Sequence, residues 1–235
     1  MKNFTRALAY YKDLRPGTLG TPAYKHLRLL LFWPIFGIVF LILERVSPQV
    51  WKAVTGNPLE YYEIASSIDA HIPFCEWFVI PYYFWFLFLI GMAVWGLLFD
   101  HVAFRNYMKF IILTYSATAV VYFLFPNMQS LRPSIAQGEG ILLETVRRLY
   151  AFDTNTNVCP SIHVLGAVAV CLAGLHGKLG TRLGWQIFLI LSTVLICLST
   201  LFLKQHSVID VFAALLFSAL AYPLVYRMPK RSVKS

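Results

Sequence analysis

The stretch WQIFLILSTVLICLSTLFL, residues 185–203, contains no acidic or basic side chain. A bilayer core of roughly 30 Å is crossed by about 20 apolar helical residues, so this run reads as a membrane span. After Lys204-Gln205-His206-Ser207 a second run, VIDVFAALLFSALAYPLVY, fills 208–226. Two apolar runs so close together predict a tight helical hairpin. Towards the N-terminus, similar runs occupy 27–43, 78–98 and 107–125, with a shorter one at 162–175. The expectation is an all-α polytopic membrane protein: a bundle of six transmembrane helices in a single membrane domain over 1–235. No internal repeat and no linker divides the chain. The run at 27–43 is too long for a cleaved signal peptide and lacks a small-residue cleavage site after it.

Composition leads to the same class. The chain is 58% hydrophobic and 13% charged, against roughly a quarter charged in soluble domains, and its mean hydropathy is +0.64. With 16% aromatic residues it is not a disordered chain. Four scattered cysteines make neither a disulfide scaffold nor a zinc ribbon. The net charge of +9 has little water-facing surface on which to form a nucleic-acid patch, so nucleic acid is not an expected partner.

The charge is better read as topology. Six spans place both termini on one side. Only Arg45, Lys52, Arg132, Arg147, Arg148 and Lys204 then fall on the other side, leaving 14 of the 20 Lys and Arg with the termini. The positive-inside rule therefore predicts cytoplasmic termini. Two amphipathic stretches are expected to lie along the interface. One is the cytoplasmic segment 1–26, with Phe4, Leu8 and Tyr11 on one face and Lys2, Arg6 and Lys12 off it. The other carries Leu142, Val146 and Leu149 beside Arg147 and Arg148, and reads as a cap over the bundle.

Ionisable groups inside spans point to function, because each is costly in hydrocarbon. Asp210 sits one turn into the last run, and His206 lies four residues earlier on the same helical face. A carboxylate so placed can accept the imidazole N–H and fix its tautomer. His163 opens the run at 162, in Cys159-Pro160-Ser161-Ile162-His163. In the six-span topology both histidines face the outside. Arg132 and Lys204 add cations on that side, and the fork of an arginine suits phosphate. Ser161 adds a hydroxyl at a helix start, where anions are stabilised.

These residues resemble the motifs of the type 2 phosphatidic acid phosphatases, or lipid phosphate phosphatases, whose fold is shared with vanadium-dependent haloperoxidases. The first family motif is Lys, six residues, then Arg-Pro. Arg132-Pro133 match it, and Phe125 stands at the Lys position. The second, Pro-Ser-Gly-His, matches at Pro160, Ser161 and His163, with Ile162 for the glycine. The third is Ser-Arg, five residues, His, three residues, Asp. Ser199, His206 and Asp210 match it, and Thr200 stands at the Arg position. The motifs cover about the C-terminal half, and the six-span layout covers the whole chain.

The resemblance implies that His206 is a nucleophile forming a phosphohistidine, oriented by Asp210, while His163 protonates the leaving oxygen. It implies phosphoryl-oxygen binding by Arg132, Ser161 and a backbone N–H at Ile162; Lys204 joins them by spacing rather than by family pattern. The substrate expected is a lipid phosphate or diphosphate in the bilayer, cleaved at the outer face of a cell membrane, with no cofactor and no metal. A headgroup phosphotransferase of the inositol phosphorylceramide synthase kind is the alternative, because that branch shows similar losses of motif cations. Metal ligation by two His and an Asp is disfavoured by the nearby cations. A transporter would carry its charges nearer mid-bilayer than these. The lipid and the oligomeric state stay open.

The remaining candidates have plainer readings. His26, His71, His101 and His176 fall at interfaces, and Cys171 and Cys197 are packing residues within spans. Cys75 and Cys159 share the outer side but are not expected to bond. Asp153, Asn155 and Asn157 are read as loop hydrogen bonders.

Overall fold

A computed structural model of the chain describes residues 5, 8–135 and 139–227. Lys2, Phe4 and Arg6 of the N-terminal amphipathic face lie outside the described residues, as do Lys230, Arg231 and Lys234.

Helix α1, Lys25–Thr55, changes pitch along its length. Pro34 has no N–H and its ring crowds the carbonyl four residues back, and the turns before it, Lys25–Leu31, wind as 3₁₀. Residues Ile42–Val46 form a π segment that carries Glu44 to a buried position. The helix stops at Gly56, whose φ of 76° is left-handed. The sequence expectation ended this span at residue 43 because hydropathy collapses at Glu44-Arg45. The helix continues because Glu44 is buried against partners of its own.

Helix α2, Val79–Phe99, follows a 3₁₀ turn at Glu76–Phe78, and helix α3 is His101–Leu124. The expectation opened the third span at 107. The helix opens six residues earlier because Asp100 caps it, its Oδ1 accepting from Ala103 N at 3.1 Å. Arg105 hides that start from a hydropathy count. Helix α4, Ile141–Phe152, is the expected amphipathic cap. Its Val146 and Leu149 pack on Val79, Tyr82 and Leu203, while Arg147 and Arg148 pair with Glu144 away from that core.

Helix α5, Ile162–Leu175, is followed by α6, Leu183–Phe202, and α7, Val208–Tyr222, which runs on as a π turn to Arg227. Among the described residues five helices are long and apolar enough to cross a membrane; α5 is not one of them. At 14 residues it spans about 21 Å, short of a bilayer core. It is instead the packed axis of the bundle, touched by α2, α3, α6 and α7. Small residues make that possible. A Cβ at Gly166 would lie 2.7 Å from Tyr115 Oη, and one at Gly174 would lie 2.5 Å from Leu189 Cδ1. Around this axis α1 is peripheral, with Leu31, Ile35, Ile38 and Leu41 exposed as a lipid-facing surface requires. The chain is thus an all-α polytopic membrane protein. Its only strands among the described residues are β1, Tyr62–Glu63, and β2, Asn127–Met128, a parallel clasp pairing Tyr62 with Asn127.

Helix α1 begins and α7 ends at the same end of the bundle. There His26 stacks on His101 and Tyr226 meets His176. The starts of α5 and α7 lie at the other end, with the clasp and α4.

Candidate active site

The α6–α7 turn is closed by backbone geometry. Lys204 N donates to Leu201 O at 3.0 Å and Gln205 N to Thr200 O at 3.0 Å, the paired bonds of a Schellman motif. Lys204 occupies the left-handed position with a φ of 52°, where glycine is usual. His206 N also reaches Thr200 O, at 3.1 Å. Ser207 then caps α7 in a capping box with Asp210. This chain of local bonds sets His206 beside Asp210: His206 Nδ1 lies 3.1 Å from Asp210 Oδ2. The same oxygen accepts from Ser207 N at 2.9 Å. A carboxylate oxygen only accepts, so Nδ1 carries a proton, and in the neutral imidazole Nε2 is then the nitrogen with the lone pair.

His163 comes to that lone pair from α5. Its Nδ1 is 3.4 Å from His206 Nε2, and its ring lies between Tyr82 and Trp85, with centroids at 4.5 Å from each. The α5 start is fixed by α3, where Tyr122 Oη donates to Pro160 O at 2.7 Å and Tyr115 Oη to Ile162 O at 2.9 Å. Ser161 is fully buried as the N-cap of α5, its Oγ accepting from Val164 N, and Ser161 N donates to Asp210 O at 3.2 Å. Asn127 braces the preceding turn, its Oδ1 accepting from Val158 N and Cys159 N at 2.8 Å each. The Cys159 thiol is pushed up to about 12 by burial and by the nearby Asp210 carboxylate.

His163, His206, Ile162, Gln205, Asn157 and Tyr122 share a cavity of about 20 Å³. Arg132 stands behind Gln205. Its Nη2 donates to Asp153 O and Thr154 O at 2.8 Å each, and to Gln205 Oε1. Its Nη1 reaches Tyr150 O at 3.2 Å, and the guanidinium lies 4.6 Å from the Tyr150 ring centroid. Burial lowers the Arg132 pKa while Asp153 and Tyr150 pull it back up. Lys204 is buried elsewhere: Nζ donates to Asp69 O at 2.6 Å, and the side chain does not line the cavity. Burial lowers its pKa, against the opposing pull of Asp69.

Two carboxylates, Asp69 and Glu44, and the amide of Gln205 were not legible as site residues, whereas Asp153 is a loop hydrogen bonder, as expected from the sequence. Asp69 accepts from Ser207 Oγ at 2.7 Å and Val208 N at 2.8 Å, buttressing the α7 cap. Asp153 accepts from Tyr82 Oη at 2.5 Å. Glu44 accepts from Thr154 Oγ1, from Thr156 Oγ1 at 2.9 Å and from Asn157 Nδ2 at 2.9 Å, holding the loop before the Pro160-Ser161 turn. Gln205 lines the cavity itself. For Glu44 the only sequence signal is an acid inside an apolar run. Beside the cavity, a groove of about 580 Å³ lies between α1 and α3. Leu43, Trp51, Phe123 and Leu124 line it, and it shares Tyr122 and Asn157 with the cavity.

The PAP2 superfamily model matches residues 106–234, more than half of the chain, from α3 through the end of α7. The chain belongs to the PAP2 superfamily. No curated protein and no solved structure matches it. Membership supports a phosphatase-type or related phosphotransferase activity. Both histidines, Asp210, Arg132 and the turn carrying Gln205 lie inside the matched span. Glu44 and Asp69 precede it, so elements outside the PAP2 match brace the loops within it. Among the described residues no group of three His, Cys, Asp or Glu side chains is placed to hold a metal ion.

Proposed function

We propose that this PAP2 member is a membrane phosphatase that hydrolyses a lipid phosphate or diphosphate through a phosphohistidine on His206. The observation that carries the reading is the relay Asp210 Oδ2, His206 Nδ1, His206 Nε2, His163 Nδ1, with contacts of 3.1 and 3.4 Å. Its middle nitrogen has a lone pair, a carboxylate behind it and a second imidazole before it. A phosphoryl group arriving at Nε2 replaces the contact with His163. His206 attacks phosphorus, the ester oxygen leaves, and His163 supplies that oxygen with a proton. Water then takes the phosphoryl group from His206, with His163 as base. Asp210 holds the tautomer throughout. The Arg132 cation, the helix start at Ser161 and the Ile162 N–H favour the charge on the phosphoryl oxygens. The apolar groove shared with the cavity through Tyr122 and Asn157 offers a place for a hydrocarbon chain. The balance of basic residues supports cytoplasmic termini and an active site on the outer face of a cell membrane.

A second reading, transfer of a phosphorylated headgroup to a lipid alcohol, draws on Phe125 and Thr200 standing where the phosphatase motifs have cations. Turnover with and without an added diacylglycerol or ceramide acceptor separates the two.

The test of the relay uses the leaving group. A lipid alkoxide needs a proton to depart, and a nitrophenolate hardly does. With a wild type that accepts both substrates, His163→Ala loses activity on lipid phosphates and keeps part of it on nitrophenyl phosphate. His206→Ala fails on both and forms no phosphoenzyme. Equal losses on both substrates in His163→Ala, or a phosphoenzyme in His206→Ala, would contradict the roles.

A further inference from the structure

Gln205 is 2% exposed and lines the cavity beside His163 and His206, yet the relay gives it no task. Its orientation is fixed by chemistry. Arg132 Nη2 donates to Oε1, and a guanidinium can only donate, so the amide oxygen faces Arg132 and the amide nitrogen faces away. That nitrogen, Nε2, is buried and has no hydrogen-bond partner among the described residues. Buried donors are almost always paired, and an unpaired one is destabilising. The backbone of the residue is held from two sides. Gln205 N donates to Thr200 O, and Gln129 Nε2 donates to Lys204 O at 2.9 Å and Gln205 O at 3.3 Å. The donor is therefore preorganised.

The residues at the two motif cation positions leave a vacancy for such a donor. Phe125 is exposed on the outer surface, and the fully buried Thr200 uses its hydroxyl on Cys197 O at 2.8 Å. We infer that Gln205 Nε2 donates to a non-bridging oxygen of the substrate's phosphoryl group, with Arg132 as the positioning residue that aims the amide. The inference rests on the phosphoryl-transfer reading for its substrate. It makes Gln205 a catalytic residue and gives this chain a neutral donor where its motifs lack a cation.

The competing role for Gln205 is a brace for Arg132, and two substitutions separate the roles. Gln205→Glu keeps an acceptor for Arg132 and strengthens that contact, but replaces the donor with an anion. Gln205→Met removes both ends at similar volume. A donor role predicts a fall in kcat/KM of about 10²-fold for Gln205→Met, the usual loss of one such donor, and a larger fall for Gln205→Glu. Activity of Gln205→Glu should return as pH falls, because a protonated carboxyl can donate again. A brace predicts the reverse order, with Gln205→Glu near wild type and no acid recovery, and would overturn the inference. Orthovanadate, monitored by thermal shift of the detergent-solubilised protein, reads the oxyanion site without turnover. Wild type should be stabilised and Gln205→Glu should not be. Vanadate binding through Gln205 in a wild type that cleaves no lipid phosphate would remove the phosphatase reading and keep the donor. Lipid phosphate cleavage with Gln205→Glu unimpaired would do the opposite. A wild type that binds no orthovanadate would remove the donor.

Discussion

At one end of the bundle Asp210 holds His206 against His163; at the other, Asp100 caps α3 and His26 stacks on His101. Both ends thus have an aspartate at a helix start and a pair of imidazoles, yet their surroundings differ. Asp100 Oδ1 accepts from Ala103 N and Oδ2 from Lys178 N at 2.8 Å, so both oxygens serve backbone. His26 and His101 lie 4.7 Å apart between centroids, nearly parallel. Both share the Tyr11 hydroxyl, at 3.3 and 3.2 Å, while that hydroxyl donates to Leu97 O. Burial, with Tyr10 and Tyr24 nearby, pushes Tyr11 up to about 12, so it stays a neutral clamp. At the site end the imidazoles meet edge to face, with a nitrogen of each aimed at the other. Buried polar atoms without partners, Gln205 Nε2 and Asn157 Oδ1, border the same cavity. A saturated polar cluster ties helices together. An unsaturated one is prepared for a ligand.

The sharpest way to break this contrast is to remove one imidazole from each end. His206→Ala should lower turnover on a lipid phosphate by at least about 10⁴-fold, the scale seen when a nucleophile is lost, with the protein still folded. His101→Ala should leave turnover per folded molecule within about twofold and lower the unfolding temperature instead. A His101→Ala protein that folds normally and loses activity as His206→Ala does would erase the distinction between the ends.

Amide substitution of the two aspartates comes next in size. Asp210→Asn lets an NH₂ group face His206 Nδ1, which moves the imidazole proton to Nε2 and blocks attack. The loss should approach 10³–10⁴-fold in kcat, as for other carboxylates that set a histidine tautomer, with KM changed less. Asp100→Asn keeps an acceptor for Ala103 N and turns a donor towards Lys178 N. It should destabilise by about 1–3 kcal/mol with kcat unchanged. Steady-state kinetics and thermal unfolding on the same preparations give both numbers.

The ends differed in legibility for the same physical reason. The four-residue spacing of His206 and Asp210 predicts a shared helical face, but His206 precedes the extended Ser207 N-cap of α7, and the two meet through the capping turn instead. His163 could be brought to them because three stretches had to open on one side of one membrane. Glu44, Asp69 and Gln205 touch the site through contacts far apart in sequence, and no local spacing announces such contacts. Asn157, read as a loop hydrogen bonder, does bond within the site's framework, but its partner, Glu44, lies 113 residues away. Hydropathy placed the apolar cores of the spans well and their ends poorly. At Glu44-Arg45 and at Arg105 the helix continues through charges that a sliding count treats as a stop. The shortness of α5 was visible in the sequence. Its central position follows from Gly166 and Gly174, whose role appears only against Tyr115 and Leu189.

Glu44 tests whether a residue outside the PAP2 match governs chemistry inside it. Three side-chain donors converge on its carboxylate. Glu44→Gln keeps one acceptor and turns an NH₂ group against at least one of them. The loop at 154–157 should loosen, carrying Asn157 with it. About a tenfold loss in kcat is expected, well below that of Asp210→Asn, together with faster proteolysis within the loop. Unchanged kcat with a fully protected loop would show that the carboxylate only fills space.

The smallest expected effect concerns Lys204, and it decides what that cation is for. A non-glycine residue in the left-handed region costs about 1–2 kcal/mol, which Lys204→Gly would relieve. The substitution also removes the charged Nζ bond to Asp69 O, worth about 1.5–3 kcal/mol, and frees the unfolded chain by about 0.4–1 kcal/mol. The losses outweigh the relief, so stability should fall by roughly 1–2 kcal/mol. Because Nζ is engaged at Asp69, away from the cavity, KM for a lipid phosphate should shift by less than about threefold. A Lys that bound the phosphoryl group would leave a larger mark, since a charged hydrogen bond contributes about 1.5–3 kcal/mol, or roughly 10- to 150-fold in kcat/KM. Measuring kcat/KM for Lys204→Gly beside Gln205→Glu thus asks which neighbour in the α6–α7 turn meets the phosphate. The geometry favours the amide over the ammonium: it is Gln205 that lines the cavity with the two histidines, and Lys204 that holds the loop behind them.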